Sequence, residues 1–334
     1  MAKKAMEKKT EGEKKAAPSK ATGKKSDLGP PSTSYIMLQA ALGLITKSKL
    51  PALLLYVDGL ESMDELELID FKSRLQVILI VRSEQAEVRA RQYTDKVVRL
   101  PAVYLTRTGQ IKMAVMLSFS KRMLNPKDQF VFLTGLAEGK LDTMMVMEVG
   151  REYELFQSVD QPPLTEHIRR AVFERVLNLA LELAAEGREG KPVGAIFVLG
   201  DSAEVMNNSR QNIINPFKGY TESERNILDD RLIETVKEFA AIDGAFVIKG
   251  TGVIVSAGTY LLPKLIPAEL PQGLGARHVA GAAITLATKS IAITISESTG
   301  TVRIWRKGQL ITEIEKAKRI QLSTDDGQRT MVNE

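Results

Sequence analysis

Hydrophobic and polar positions change their rhythm several times along the chain. From Ser34 to Thr46, apolar positions Leu38, Leu42 and Ile45 fall on one helical face, and Ser34 is placed to cap that helix. PALLLYV (51–57) is a short continuous apolar run, and 61–71 (ESMDELELIDF) has helical spacing. Residues 75–81 (LQVILIV) predict a buried strand, 83–93 a helix, 96–100 a strand and 110–122 a helix. Two further strands are predicted at 130–133 and 144–149. Strands that are apolar throughout and alternate with helices predict an α/β domain over 34–150 with a parallel sheet covered on both faces.

Pro162 and Pro163 mark a boundary within 151–163. A helix is predicted from Leu164 to about Ala185, with Leu164, Ile168, Val172, Val176 and Leu179 at helical spacing. A strand follows at 194–201. Thr221 and Glu224 form a capping box for a helix through Ala240. Residues 242–261 predict two strands around a Lys-Gly-Thr-Gly turn. Residues 273–287 predict a glycine turn feeding a small-residue helix, and 291–314 a three-strand meander. Residues 315–334 trail off as charged helix and tail. The expected fold class is α/β: a parallel-sheet domain, then a mixed-sheet domain over 164–315.

Charge is confined to one end. Residues 1–33 hold nine Lys against four acids, which equals the +5 of the whole chain, so the rest is neutral. That segment is too polar to offset its ordering entropy and is expected to be disordered. A generally basic nucleic-acid surface is not indicated. No run is long and apolar enough to span a membrane, and the first residues have no apolar core of a secretory signal, so a cytoplasmic protein is expected. Without Cys, disulfides, thiolate metal sites and cysteine nucleophiles are excluded. Two His, His167 and His278, do not suffice for a His-rich metal cage.

Polar residues at strand ends and helix starts of the second domain are the candidate chemistry. Asp243-Gly244-Ala245 offers a carboxylate for Mg²⁺ or Mn²⁺ beside small residues that admit a ligand to the backbone. Gly273-Leu274-Gly275-Ala276-Arg277-His278 offers helix-start N–H groups, a guanidinium fork and an imidazole. Ser296-Glu297-Ser298-Thr299-Gly300 offers three hydroxyls and a carboxylate in one turn. Asn207-Asn208-Ser209-Arg210 and Asn215–Tyr220 could line a mouth. Taken singly, each is equally a turn, a cap or a surface loop.

Their order and spacing resemble the diadenylate cyclase (DAC) domain, the nucleotide-binding domain of DNA-integrity scanning proteins, over about 165–315. The family's Asp-Gly-Ala falls at Asp243, Gly244 and Ala245, and its Arg-His pair at Arg277 and His278. Its Ser-Glu-x-Thr-Gly turn falls at Ser296, Glu297, Thr299 and Gly300, and its adenine-packing positions at Tyr260 and Leu261. Val279 stands where many members have a second Arg, and Ser298 where many have a second Glu. Lys218, Arg210 or Lys289 could compensate.

The resemblance implies metal-assisted condensation of two ATP into cyclic di-AMP and two pyrophosphates. Catalytic roles would fall to Asp243, Arg277 and His278. ATP would be bound by Gly244, Ala245, Tyr260, Leu261, Gly275, Ser296 and Thr299, and Mn²⁺ or Mg²⁺ by Asp243 and Glu297. It also implies a homo-oligomer with facing sites. The alternative, motivated by Val279 and Ser298, is a weak or inactive ATP or cyclic di-AMP sensor of the same fold. A DNA-scanning role would need a further domain, for which about 20 residues remain after Ile314. Residues 34–150 show no chemistry and loosely resemble the C-terminal domain of pyruvate kinases in TGLAEGKLDTMMVMEV, which implies a scaffold or regulatory role.

Overall fold

The computed structural model describes residues 32–136, 139–151, 167–265, 267 and 270–315. The described residues belong to one compact unit, which begins at Ser32. Of the segment 1–33 expected to be disordered, 1–31 lie outside the described residues, whereas Ser32 and Thr33 cap and open the first helix. Residues 152–166 and the end of the chain from 316 also lie outside, and the helix expected from Leu164 is formed from Arg170.

This unit opens with α1 (Thr33–Ser48) and β1 (Ala52–Tyr56). Then come β2 (Gln76–Val81), α2 (Glu84–Ala90), β3 (Val97–Arg99), α3 (Arg107–Ser120), β4 (Gln129–Thr134) and β5 (Thr143–Glu148). The sheet order is β3-β2-β1-β4-β5, with the first four strands parallel. The expectation of an all-parallel sheet is corrected at β5, which pairs antiparallel with β4. Only 135–142 connect these two strands, too short for a crossover of about a dozen residues.

Two local expectations also change. Ser32, not Ser34, caps α1 by accepting from the Tyr35 N–H. Ser34 is instead buried: its hydroxyl donates to Gly59 O and accepts from Leu141 N, tying α1 to the loops after β1 and β4. Residues 61–71 hold only a short 3₁₀ turn, Met63–Leu68, capped by Ser62.

The second sheet follows α4 (Arg170–Glu186). It is built from β6 (Ile196–Leu199), β7 (Ser209–Gln211), β8 (Ala245–Ile248), β9 (Ile254–Leu261), β10 (Ile291–Ile295), β11 (Val302–Arg306) and β12 (Gln309–Ile314). Its helices are α5 (Ser202–Asn207), α6 (Ile233–Phe239) and α7 (Ala276–Ala287). The order is β12-β11-β10-β6-β8-β9-β7, mixed as expected, with β6 and β8 parallel to each other. Stacked Phe197 and Phe246, 5.1 Å apart, sit in the core on the α4 side. On the other face, α7 packs against β10 and β11 through Ala282, Ala283 and Ile284. Helix α3 is buried on nearly every side and touches β3 and β4 of the first sheet and β12 of the second.

The helix expected from Thr221 to Ala240 is mostly not formed. Glu224 does accept from the Thr221 N–H, as the capping box requires. The backbone at 225–227 then bonds outward: Ile227 N to Gly252 O, and Ile254 N to Arg225 O. These cross-chain bonds replace the helical ones, and α6 begins only at Ile233.

Candidate active site

Three of the sequence motifs meet at one point. The Arg277 guanidinium, projecting from the first turn of α7, donates to Glu297 Oε2 at 2.8 Å and lies 3.5 Å from Asp243 Oδ1. Asp243 comes from the turn before β8, and Glu297 from the turn between β10 and β11. The side chains are 77% (Asp243), 33% (Arg277) and 58% (Glu297) exposed, so all three remain open to an incoming ligand. Two carboxylates sharing one guanidinium leave net negative charge, suited to a hard cation held by oxygen ligands. Among the described residues there is no group of three or more metal-ligating side chains.

Gly194, just before β6, forms the floor. A Cβ there would lie 2.6 Å from Arg277 Nη1 and 3.0 Å from Glu297 Cβ. Sequence reasoning placed Gly194 at the start of a strand and missed this role. The available signal was a glycine opening an apolar strand at its ligand-facing end.

Gly244 has φ +115°, a conformation L side chains rarely adopt, and a Cβ there would lie 2.6 Å from the Gly258 carbonyl carbon. The start of β8 can thus lie directly against β9, and Asp243 is held at the end of an interior strand. Ala245 and Leu261 do not line open space. Both are buried in the core that α7 shares with the sheet. Tyr260 alternates to the outside of β9 and is 44% exposed, with Arg210 of β7 stacked 5.3 Å from its ring centre. That pair is what the segment 207–210 contributes. Phe217, expected at a mouth, is instead core, packed on Phe239 and Phe246.

Gly275 caps α7 with no side-chain hydrogen bond, and a Cβ there would meet open space. The His278 N–H turns back to Gly275 O, and the start of this twelve-residue helix is open beside Gly275. Ser296 and Thr299 fold the turn on themselves: the Thr299 N–H points to Ser296 Oγ at 3.4 Å, and Thr299 Oγ1 lies 2.8 Å from Thr301 Oγ1. Behind this turn a pocket of about 200 Å³ is lined by Lys191, Ser296 and Thr299, among others. Ser298 is exposed beside Ser296, and Lys289 donates its backbone N–H to Asp201.

His278 stands apart from the open site. It is 4% exposed, with Nδ1 2.7 Å from Thr294 Oγ1 and Nε2 3.3 Å from Arg303 Nη1. Arg303 also donates to Glu313, and Trp305 Nε1 donates to Thr294 Oγ1. Arg303 has no acceptor lone pair, so Nε2 accepts and Nδ1 carries the proton. Burial, and then the charges of Arg303 and Arg277, push the imidazole pKa down to about 4. His278 is therefore a neutral link between the base of α7 and β10–β11.

Residues 182–310 match the family model described as the DisA bacterial checkpoint controller nucleotide-binding domain, and 35–156 the one described as "Probable sensor domain DacZ_P". A diadenylate cyclase of Methanocaldococcus jannaschii is 38% identical over 213 residues, covering 61% of this chain and 66% of that protein. One of Haloferax volcanii is 36% identical over 224 residues, covering 65% of this chain and 79% of that protein. A solved double mutant of DacA from Staphylococcus aureus aligns with TM-score 0.31 and 21% identity, over 42% of this chain and 85% of that one.

Proposed function

This chain belongs to the diadenylate cyclase family, and from that premise we propose that it condenses two ATP into cyclic di-AMP and two pyrophosphates. Each 3′-hydroxyl attacks the α-phosphorus of the other ATP, the α–β phosphoanhydride bond breaks, and pyrophosphate leaves. Each subunit holds one ATP, so the reaction needs two subunits face to face, in a homo-oligomer working in the cytoplasm where ATP is supplied. The observation that carries this reading is the Arg277 guanidinium gathered between Asp243 and Glu297, one residue from each of three motifs.

Asp243 orients the attacking 3′-hydroxyl and accepts its proton. Asp243 and Glu297 would also hold Mn²⁺ or Mg²⁺, which when bound offsets the charge of the triphosphate. Arg277 exchanges its carboxylate partners for phosphate oxygens and stabilises the departing pyrophosphate. The α7 N-terminus at Gly275 and the hydroxyls of Ser296 and Thr299 fix the remaining phosphate oxygens. Gly244, by letting β8 close against β9, fixes the turn that carries Asp243 beside the ribose, and Tyr260 offers a ring face to adenine. Ala245 and Leu261, both buried, support that wall from beneath. His278 is a positioning residue: it anchors the first turn of α7, and so Arg277, through Thr294 and Arg303. On this reading 164–315 carry the chemistry and 34–150 regulate it, which the sensor-domain match over 35–156 supports.

Asp243→Asn keeps size and turn geometry but removes the charge. It should still bind ATP by calorimetry and lose cyclic di-AMP formation by several orders of magnitude. Arg277→Ala should weaken both binding and turnover. Cyclisation by Asp243→Asn near the wild-type rate would overturn this mechanism.

A further inference from the structure

The first sheet has a feature that the cyclase chemistry does not use. Strands β1, β2 and β3 are laid down outward in one direction, and β4 then pairs on the opposite side of β1. The winding therefore reverses between the carboxyl ends of β1 and β4. In open parallel sheets that reversal leaves a crevice, because the two flanking loops diverge to opposite faces. A cavity of about 1180 Å³ occupies this place. Its walls come from the segments following all four parallel strands: Asp58 and Glu61 after β1, Arg82 after β2, Tyr104 after β3 and Leu136 after β4, with Arg89 of α2. It is large enough for a drug-sized molecule.

The chemistry of the walls is specific. Among the described residues, neither Arg82 nor Arg89 forms an ion pair with a carboxylate, while most other arginines of the same sheet's helices and strands do. Arg82 is half-buried and held in place: it donates to Val103 O at 3.3 Å and lies 5.4 Å from the Tyr104 ring centre. It also bonds the buried Tyr56 hydroxyl. Tyr104 is largely exposed although it is a large ring on a loop. Asp58 shares the Tyr56 hydroxyl with Arg82, so Arg82 is held in place beside one carboxylate, while the exposed Arg89 adds a second guanidinium and Tyr104 an exposed ring. Together these suit a charged ligand with a planar or apolar body.

We propose that this crevice is a binding site for a small organic anion, its phosphate or carboxylate seated on Arg82 and Arg89 and its body against Tyr104. The site is separate from the Asp243–Arg277–Glu297 cluster, and it deepens the reading of 34–150 as a regulatory domain. A phosphate ester and a carboxylate share the anion chemistry, and the test separates them.

The test is calorimetric titration of the full-length chain with inorganic phosphate, AMP and citrate, in parallel on wild type, Arg82→Gln, Arg89→Gln, Arg277→Ala and Asp243→Asn. Saturable binding of AMP or phosphate indicates a phosphate ester, and binding of citrate alone indicates a carboxylate. For the anion that binds, the affinity should fall about tenfold or more in Arg82→Gln and measurably in Arg89→Gln. It should be unchanged in Asp243→Asn, and cyclic di-AMP formation without the anion should be unchanged in Arg89→Gln. If Arg82→Gln fails to fold, the exposed Arg89→Gln and a Tyr104→Ala variant carry the test. No saturable binding of any of the three overturns the proposal, as does binding that Arg277→Ala abolishes and the Arg82 and Arg89 variants leave intact. Product formation by Asp243→Asn would count against the cyclase mechanism and leave this site untouched.

Discussion

His278 gives a stability prediction whose size follows from its surroundings. The folded imidazole has a pKa of about 4, whereas the unfolded chain offers the ordinary value of 6.5. Between these values the unfolded chain binds a proton that the folded protein refuses. Stability from this group is therefore complete above pH 6.5 and is lost as pH falls toward 4. Below about pH 4 both states carry the proton and the loss stops. The gap corresponds to about 3 kcal/mol, a large share of the stability of an ordinary domain.

The perturbation is His278→Gln, which removes the titration and keeps a polar side chain. Urea unfolding from pH 4 to pH 7.5 should show the wild type losing about 3 kcal/mol more than the variant over that range. Carboxylates whose pKa burial pushes up, such as Glu174, are common to both proteins and cancel in the difference. With only two His in the chain, labelled imidazole resonances give a second reading. At pH 5 a group at 6.5 is about 97% protonated, while one at about 4 is about 10% protonated. Parallel stability curves, or a His278 resonance titrating near 6.5, would refute the argument.

Two further substitutions test how the site and the first domain are held. Gly244→Ala meets both a positive φ and the backbone of Gly258, which cannot yield as a side-chain tip can, and should cost about 3 kcal/mol in urea unfolding; a loss under about 0.5 kcal/mol would show that β8 does not need this approach. Ser34→Ala strands the Gly59 carbonyl and the Leu141 N–H in a buried place and should cost roughly 2 kcal/mol, with no change expected if Ser34 were only a surface cap.

What was legible in the sequence follows a physical line. Asp243, Arg277 and Glu297, which the structure brings together, stood out in the sequence because ligand chemistry at sheet ends requires particular side chains in a particular order. Gly194 was missed because its role is the space it leaves, and no side chain announces it. The burial of His278 was legible in principle. His278, Gly281, Ala282 and Thr285 recur at three- and four-residue spacing and form the inner face of α7. The motif drew attention to its chemistry instead of its position.

The antiparallel β5 was likewise encoded in the short connection after β4, although its apolar run alone read as a parallel strand. The helix expected from Thr221 could not be judged locally. Its capping box is real, but the bonds that end it come from residues 252–254, more than twenty positions away. Sequence patterns report local preference, and here a long-range backbone pairing won.

The most direct test of the central claim is the product of ATP turnover. The full-length chain should be incubated with ATP and Mn²⁺, with GTP in a parallel reaction, and the products separated by chromatography. The expected product is cyclic di-AMP, with two pyrophosphates released for each molecule formed, and it should be absent with Asp243→Asn. ATP recovered unchanged, or converted only to ADP and phosphate by folded, ATP-binding protein, would contradict it.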